Sequence, residues 1–390
     1  MLEHIIWHIP TIIIASFYTI YGLLALLLGK EETYKDMLKK IKNYNYKPFI
    51  SIVIPTYNEE KIIASKLENT LSIDYPKNRM EIIVIDSSTD KTSEIVAKYV
   101  INHPCIKLVR TERKGLANAL NEAYSIARGE IVIKTDCDSM LKSNAIPEIV
   151  ANFTDNKIGA VTSRLIAPNN EGLEVNYRSI QHRIQIAESI IDSTYIFQSF
   201  SAFRRDLIRP ITTSADDADV ALNIRKQGYR AIYDPDSIFY EASPLTAKER
   251  IEVKSRRAVG HINLLLKNIG LCFNPKFSWY GMLILPMNLF MIVISPTLML
   301  LMPIFSIIDM LTSKAFLLLD YTILGSIPLI FALRNKPIVS KVWTMVELQL
   351  IQFIALMRVI RHGDMRTWKR AETTREYYAR TAANRAVYKE

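Results

Sequence analysis

Glu130-Ile-Val-Ile-Lys-Thr-Asp-Cys-Asp138 decides the fold. A short apolar run that breaks into polar residues reads as a buried strand, and this one delivers two carboxylates at its end. The same design recurs upstream. Phe49-Ile-Ser-Ile-Val-Ile54 is stopped by Pro55, Glu81-Ile-Ile-Val-Ile85 ends at Asp86, and Ile106-Lys-Leu-Val109 is a further short run. Helical patterns follow Glu59 and fill Leu116 to Ala127. Strands alternating with helices imply an α/β domain whose mostly parallel, Rossmann-like sheet is covered on both faces. Ligands of such sheets bind at the carboxyl ends of the strands, where Asp86, Asp136 and Asp138 all fall.

Asp136 and Asp138 are two residues apart, so extended backbone points both carboxylates the same way. Clustered carboxylates repel unless a cation joins them, and a divalent ion that also meets substrate phosphates would do so. A solvated turn is the competing reading for an Asp-x-Asp, and a helix cap is the competing reading for Asp86. Further on, Ala215-Asp-Asp-Ala-Asp219 opens a helix that Gly228 stops. The macrodipole and capping account for one acid at such a start. Three acids in four positions exceed that need, and one crowded carboxyl suits a general base.

Both ends of the chain speak of a membrane. Of 390 residues 49% are hydrophobic, yet the net charge is +10. The apolar residues lie in runs with basic residues beside them, which excludes a nucleic-acid binder and predicts contact with a lipid bilayer. Ile5 to Leu28 carries no charge and is long enough to cross a hydrocarbon core of about 30 Å. It lacks a basic start and a small-residue cleavage site, so it reads as an anchor, not a signal peptide. Met282 to Ile308 and Phe316 to Leu333 read as two more spans. Glu347, Gln349 and Gln352 mark Ile338 to Ile360 as a helix lying on the membrane or re-entering it. Lysines 30, 35, 39, 40, 42 and 47 place the side that follows the first span in the cytoplasm. The three cysteines match no zinc or redox spacing.

Seven blocks in order give the chain a family resemblance: Ile54-Pro-Thr-Tyr-Asn-Glu-Glu60, Val84-Ile-Asp-Ser-Ser-Thr-Asp90, Lys114-Gly-Leu-Ala-Asn-Ala-Leu-Asn121, Lys134-Thr-Asp-Cys-Asp-Ser139, Phe203-Arg-Arg-Asp206, Ser214-Ala-Asp-Asp-Ala-Asp-Val220 and Gly228-Tyr-Arg230. Over roughly 48–267 the chain resembles membrane-embedded family 2 glycosyltransferases with a GT-A catalytic domain. The resemblance implies that Pro55, Tyr57 and Glu59 line a nucleotide pocket and that Asp86 bonds the base. It places Lys114 near the nucleotide, Asp136 and Asp138 in a DxD motif that holds Mn²⁺ or Mg²⁺ on the diphosphate, and Asp217 as the catalytic base beside Asp216. Processive synthases of the family carry QxxRW before their last spans. Here the aligned stretch is Val253-Lys-Ser-Arg-Arg257, which keeps Arg256 for the diphosphate but has Arg257 for the Trp. Arg257 reads either as a donor to a lipid head group or phosphate, or as a surface residue snorkelling beside the bilayer.

These readings divide the chain into an anchor (1–29), a basic linker (30–47), a cytoplasmic GT-A domain (48–257), an interfacial region (258–280), membrane and interfacial helices (281–360) and a basic tail (361–390). Within that tail, Trp368-Lys-Arg-Ala-Glu-Thr-Thr-Arg375 resembles the segment after the last membrane element of relatives. Leu173 to Ile191 reads as an amphipathic helix, at the membrane or packed on the domain, with His182 on its polar face and not a metal ligand. The expected activity is an inverting, metal-dependent transfer of one hexose from a nucleotide sugar, a UDP-sugar by resemblance. The acceptor would be a membrane lipid or lipid-linked saccharide at the cytoplasmic face of the cell membrane. A processive polysaccharide synthase and a non-enzymatic nucleotide-binding scaffold are the alternatives, and the oligomeric state stays open.

Overall fold

The computed structural model describes residues 6–169, 173–312, 316–364 and 372–381. The chain enters through an apolar helix, α1 (Ile9–Leu28), and a short α2 (Glu31–Lys39). The first half of the catalytic sheet follows: β1 (Ile50–Thr56), α3 (Ile63–Leu71), β2 (Met80–Asp86), α4 (Thr92–Asn102), β3 (Ile106–Arg110), α5 (Leu116–Ile126) and β4 (Ile131–Lys134). The second half comprises β5 (Met140–Leu141), α6 (Ala145–Ala151), β6 (Ile158–Ile166), α7 (Leu173–Ile191), β7 (Ser201–Arg204), α8 (Asp216–Lys226) and β8 (Arg230–Tyr240). Then come α9 (Ala247–Lys267), a long apolar α10 (Tyr280–Thr312), α11 (Leu317–Ala332), α12 (Pro337–His362) and α13 (Glu372–Thr381).

The eight strands form one mixed sheet in the order β3-β2-β1-β4-β7-β6-β8-β5. β1, β2, β3 and β4 are parallel, and β7 then pairs antiparallel with both β4 and β6. The strand order reverses between β1, which leads outward to β2 and β3, and β4 on its other side. A crevice opens at the carboxyl ends on either side of such a switch point. The register sets the edge, with Thr56 opposite Asp86, Asp86 opposite Arg110, and Val53 opposite Lys134.

The central strands are largely apolar on both faces because both faces are covered. Ile50, Ile52 and Ile54 pack with Ile63 and Leu67 of α3, whereas Val53 faces Leu120 of α5 and Val220 of α8. β4 begins against β1 so closely that a Cβ at Gly129 would lie 2.3 Å from the Ser51 nitrogen, a contact only glycine tolerates. α9 opens with a capping box, Thr246 Oγ1 accepting from the Glu249 amide at 3.2 Å.

Among the described residues, three helices are long and apolar enough to cross a membrane: Ile6–Leu28, Tyr280–Thr312 and Val339–His362. Two coincide with expected spans. The third is the run expected to lie on the surface, while α11 has only 16 residues, or about 24 Å of rise. Length alone therefore exchanges the roles expected of α11 and α12. The contacts of α12 do not. Ser340 Oγ accepts from Asn176 of α7, Glu347 pairs with Arg250 at 2.9 Å, Arg358 pairs with Glu252 at 2.8 Å, and Asp364 beyond the helix accepts from Ser214. Both ends of α12 thus rest on the catalytic domain. Its mid-helix Gln349 bonds Ser295 at 2.6 Å and Tyr18 at 2.7 Å, so the amide is paired inside the bundle and faces no lipid.

α7 is a wedge between the sheet and the long apolar helices. Glu188, fully buried, accepts from Tyr21 of α1 at 2.6 Å, Asn288 of α10 at 2.7 Å and Thr194 at 2.8 Å. His182 is held between Tyr233 and Glu31, at 2.8 and 2.9 Å. Described residues of α13 return to the domain, where Tyr378 accepts from the Ala242 amide at 2.8 Å and Thr373 from the Leu245 amide at 3.1 Å. Trp368, Lys369 and Arg370 lie outside the described residues.

Candidate active site

β4 ends on a lysine, not on the aspartates. Lys134 is 2% exposed, and its Nζ lies 2.8 Å from Asp217 Oδ2, 3.0 Å from Asp136 Oδ1 and 3.1 Å from Asp216 Oδ2. One cation facing three carboxylates leaves the cluster short of positive charge. Burial works against the charge on Lys134, but the three carboxylates hold its pKa well above the usual value. For Asp217, burial pushes the pKa well up, Lys134 opposes that shift, and Asp216 and Asp136 add to it. Asp217 Oδ1 is buried with no hydrogen-bond partner among the described residues. Together these make Asp217 a better proton acceptor than an ordinary carboxylate.

The helix that carries Asp216 and Asp217 is fixed by the third acid of its motif. Asp219 Oδ2 accepts from the Thr212 and Thr213 amides at 2.7 and 2.9 Å, so its role is to tie down the loop before α8. Asp216 and Asp217 are thereby freed for the crevice, at a helix start where negative charge is favoured.

Across the switch point, Asn58 at φ 55° turns the chain after β1 and exposes Tyr57. The guanidinium of Arg113 lies 3.7 Å from the Tyr57 ring centroid and also bonds its hydroxyl. Pro55, Tyr57, Glu59, Arg113, Asp136 and Asp138 line one cavity. Lys114 does not. It is 69% exposed and pairs with Glu112 at 2.7 Å, so the basic residue of that segment on the cavity wall is its neighbour Arg113. Asp86 also stays behind the wall. Its carboxylate is fully buried and bonded by Thr56, Ser88, Ser93 and Arg110, which makes it an organiser of the β1 and β2 ends.

Asp138 meets the tail. Arg375 of α13 places Nη1 2.9 Å from Asp138 and Nη2 2.7 Å from Glu59, joining the two sides of the crevice. Burial raises the Asp138 pKa to about 6, against the pull of Arg375. Behind the DxD turn, buried Lys66 donates to Thr135 Oγ1 at 2.8 Å and to the Ser139 carbonyl, bracing the loop from beneath. On the far wall Arg256 and Arg257 of α9 line the cavity, and Arg257 pairs with Glu241 at 2.8 Å. The cavity, about 440 Å³, continues without a break to Tyr18 and Tyr21 of α1, Asn288 and Met291 of α10, and Gln349 of α12.

Sequence reasoning brought Pro55, Tyr57, Glu59, Asp136, Asp138, Asp216, Asp217, Arg256 and Arg257 to one cavity and missed Lys134, Lys66, Arg113 and Arg375 as site residues. A lysine ending an otherwise apolar buried strand was the available signal for Lys134.

Residues 51–212 match the family model described as Glycosyl transferase family 2. Over that stretch the chain is similar to family 2 glycosyltransferases. Its fold is GT-A, as the motifs implied. The chain is 26% identical over 272 residues to a probable glycosyltransferase, YdaM, of Bacillus subtilis, which covers 62% of each protein. Over 269 residues it is 26% identical to a poly-beta-1,6-N-acetyl-D-glucosamine synthase of Staphylococcus epidermidis, covering 66% of this chain and 65% of that protein. It thus spans somewhat under two thirds of the length of these curated relatives. Among solved structures, it is similar to the mannosyltransferase PcManGT from Pyrobaculum calidifontis in complex with GDP-Man and Mn²⁺. The TM-score is 0.71 with 26% identity, and the match covers 89% of this chain and 97% of that one.

Proposed function

We propose that the protein is an inverting glycosyltransferase that moves one hexose from a nucleotide sugar to a membrane lipid or lipid-linked acceptor. The observation that carries this reading is the single cavity that joins Tyr57, Asp136 and Asp138 to the membrane helices through Asp217. A donor at the sheet edge and an acceptor head group entering from α1 and α10 would meet at Asp217. The similarity to a mannosyltransferase bound to GDP-Man keeps a guanosine diphosphate donor beside the UDP-sugar that the motifs suggest.

In this reading Tyr57 and Arg113 hold the nucleotide, and Arg256 steadies the diphosphate. Asp217 takes the proton of an acceptor hydroxyl. That oxygen forms a bond to the anomeric carbon as the bond from the same carbon to the diphosphate oxygen breaks, and the electron pair leaves with the nucleoside diphosphate. Attack from the opposite side inverts the centre. Lys134 keeps the base in place without quenching it, because one ammonium is shared by three carboxylates. The donor set of Asp136 and Asp138, carboxylate oxygens in the turn after β4 that line the cavity, fits a hard divalent ion such as Mn²⁺ or Mg²⁺. Bound there, that ion supplies charge neutralisation for the leaving diphosphate.

Arg257 pairs with Glu241 and offers no aromatic platform for a growing chain, which favours one transfer over processive synthesis. The basic linker argues for a cytoplasmic catalytic domain in the cell membrane. We place α1, α10 and α11 across the bilayer and α12 along its surface, from the contacts at both ends of α12.

Purified full-length protein in native-lipid nanodiscs with Mn²⁺, given UDP- and GDP-hexoses and analysed by mass spectrometry, tests the proposal. The expected product is a lipid heavier by one hexose, formed at least about 100-fold more slowly by Asp217→Asn. A ladder of long products would show a synthase. No turnover with any donor, with the nucleotide still bound, would show a scaffold.

A further inference from the structure

The membrane helices bury a second polar cluster, remote from the catalytic sheet. α1 and α10 run antiparallel: Phe17 stacks on Phe290 with centroids 3.9 Å apart, and Trp7 meets Phe305 edge-on at 5.7 Å. Tyr21 and Asn288 share Glu188 at the catalytic end. His8 therefore stands at the opposite end, about 30 Å along α10 from Asn288. There its Nε2 lies 3.7 Å from Asp309 Oδ2 in the last turn of α10 and 3.5 Å from Asp320 Oδ1 in the first turn of α11. The three side chains are no more than 3% exposed, and one donor atom from each lies within 4.8 Å of the others.

Two further observations point to a ligand. Neither ring nitrogen of His8 has a hydrogen-bond partner among the described residues, and the Asp320 carboxyl faces His8, Asp309 and the Ser306 hydroxyl. The His8 ring is set edge-on against Phe316 at 5.0 Å, and the Phe316 amide donates to Asp309 Oδ2 at 3.3 Å, so the donors are held in place from outside the cluster. Leaving buried polar groups unbonded costs about 2–7 kcal/mol each, and ionised ones more. Two carboxylates and a neutral imidazole around a divalent ion carry no net charge, which suits an apolar bundle. Tetrahedral ligands at about 2.0–2.2 Å from Zn²⁺ sit about 3.4 Å from one another, slightly inside the distances seen here. An imidazole beside two carboxylates favours a transition metal over Mg²⁺.

We propose that His8, Asp309 and Asp320 form a binding site for a divalent transition-metal ion of the Zn²⁺ class. It fastens α1, α10 and α11 together at the end of the bundle opposite the active site. The site is independent of the transferase reaction, and α11, with 16 residues, is the segment that gains most from such a tie.

The test is a Co²⁺ titration of chelator-stripped full-length protein in nanodiscs. Tetrahedral Co²⁺ absorbs intensely in the visible range, whereas an oxygen-rich octahedral site absorbs weakly. The expected result is one intense band, displaced by Zn²⁺ and unchanged in Asp138→Asn. In His8→Gln and Asp320→Asn, Co²⁺ should bind at least about 10-fold more weakly, and Zn²⁺ should no longer raise the unfolding temperature. Equal binding in those variants overturns the site. The folded wild type decides alone if the variants fail to fold: without a tetrahedral band, the cluster is balanced by protons and the proposal falls.

Discussion

Lys134 shows what a single residue can hide. Read along the chain, it is a lysine at a strand end, which ordinarily marks where burial stops. In the fold it is the buried cation of the site, because residues some 80 positions later supply Asp216 and Asp217. That partnership is a long-range contact and leaves no local trace. Asp136 and Asp138, by contrast, were legible as a local motif, but the expected extended backbone is absent: β4 stops at Lys134 and the two carboxylates lie in the turn that follows, Asp136 against Lys134 and Asp138 against Arg375. Removing one partner of a buried ion cluster leaves uncompensated charge and typically costs about 3–5 kcal/mol. Lys134→Met should therefore destabilise the domain by that order and abolish transfer. Adding Asp217→Asn should recover part of the stability but none of the activity, as thermal unfolding and turnover in nanodiscs would show; additive losses would mean the two are not coupled.

His261 offers a residue-scale test in pH. Burial on α9, with Arg257 nearby, pulls its pKa from the ordinary 6.5 to about 4. The folded protein thus keeps His261 neutral where the unfolded chain takes up a proton. Between pH 6.5 and 4 the unfolded state binds more protons, so stability is highest above that window and falls as pH drops through it. The loss is at most about 3 kcal/mol. A stability profile measured against pH should flatten across this window in His261→Gln. A wild-type slope retained in that variant would assign the effect to other groups.

At the scale of elements, the strands and the helices between them were readable, since apolar runs bounded by polar turns encode buried parallel strands directly. The approach of α9 to α8 was not. Gly260 sits where α9 crosses the loop that launches Asp216 and Asp217, and a Cβ there would lie 2.9 Å from the Ala215 nitrogen. Gly260→Val should push that loop aside and lower kcat by about 10-fold or more while leaving donor KM nearly unchanged, because the base moves and the nucleotide wall does not. The α13 contact gives the complementary pattern. Arg375 joins Glu59 to Asp138 on the donor side. Arg375→Ala should therefore raise donor KM more than it changes kcat. A pure kcat effect would place Arg375 at the reaction centre instead.

For the whole molecule, the apolar runs pointed to helices able to cross a membrane, but hydropathy could not say which of the last two would do so. Both are apolar, and the distinction rests on contacts: Gln349 paired within the bundle, and α12 tied to the catalytic domain at Ser340 and Asp364. The two arrangements put Asn335, exposed between α11 and α12, on opposite sides of the bilayer. If α11 crosses, Asn335 lies with the catalytic domain; if α12 crosses instead, it lies with Thr312 at the far end of α10. Cysteines introduced as Asn335→Cys and Thr312→Cys, with Cys105, Cys137 and Cys272 replaced by Ser, can be labelled in sealed vesicles by an impermeant maleimide. We expect Asn335→Cys to react only in inside-out vesicles and Thr312→Cys only in right-side-out ones. Labelling of both from the same side would place α12 across the membrane. It would also bring the α13 tail to the catalytic face as a consequence of that crossing, with α11 left at the outer surface beside His8.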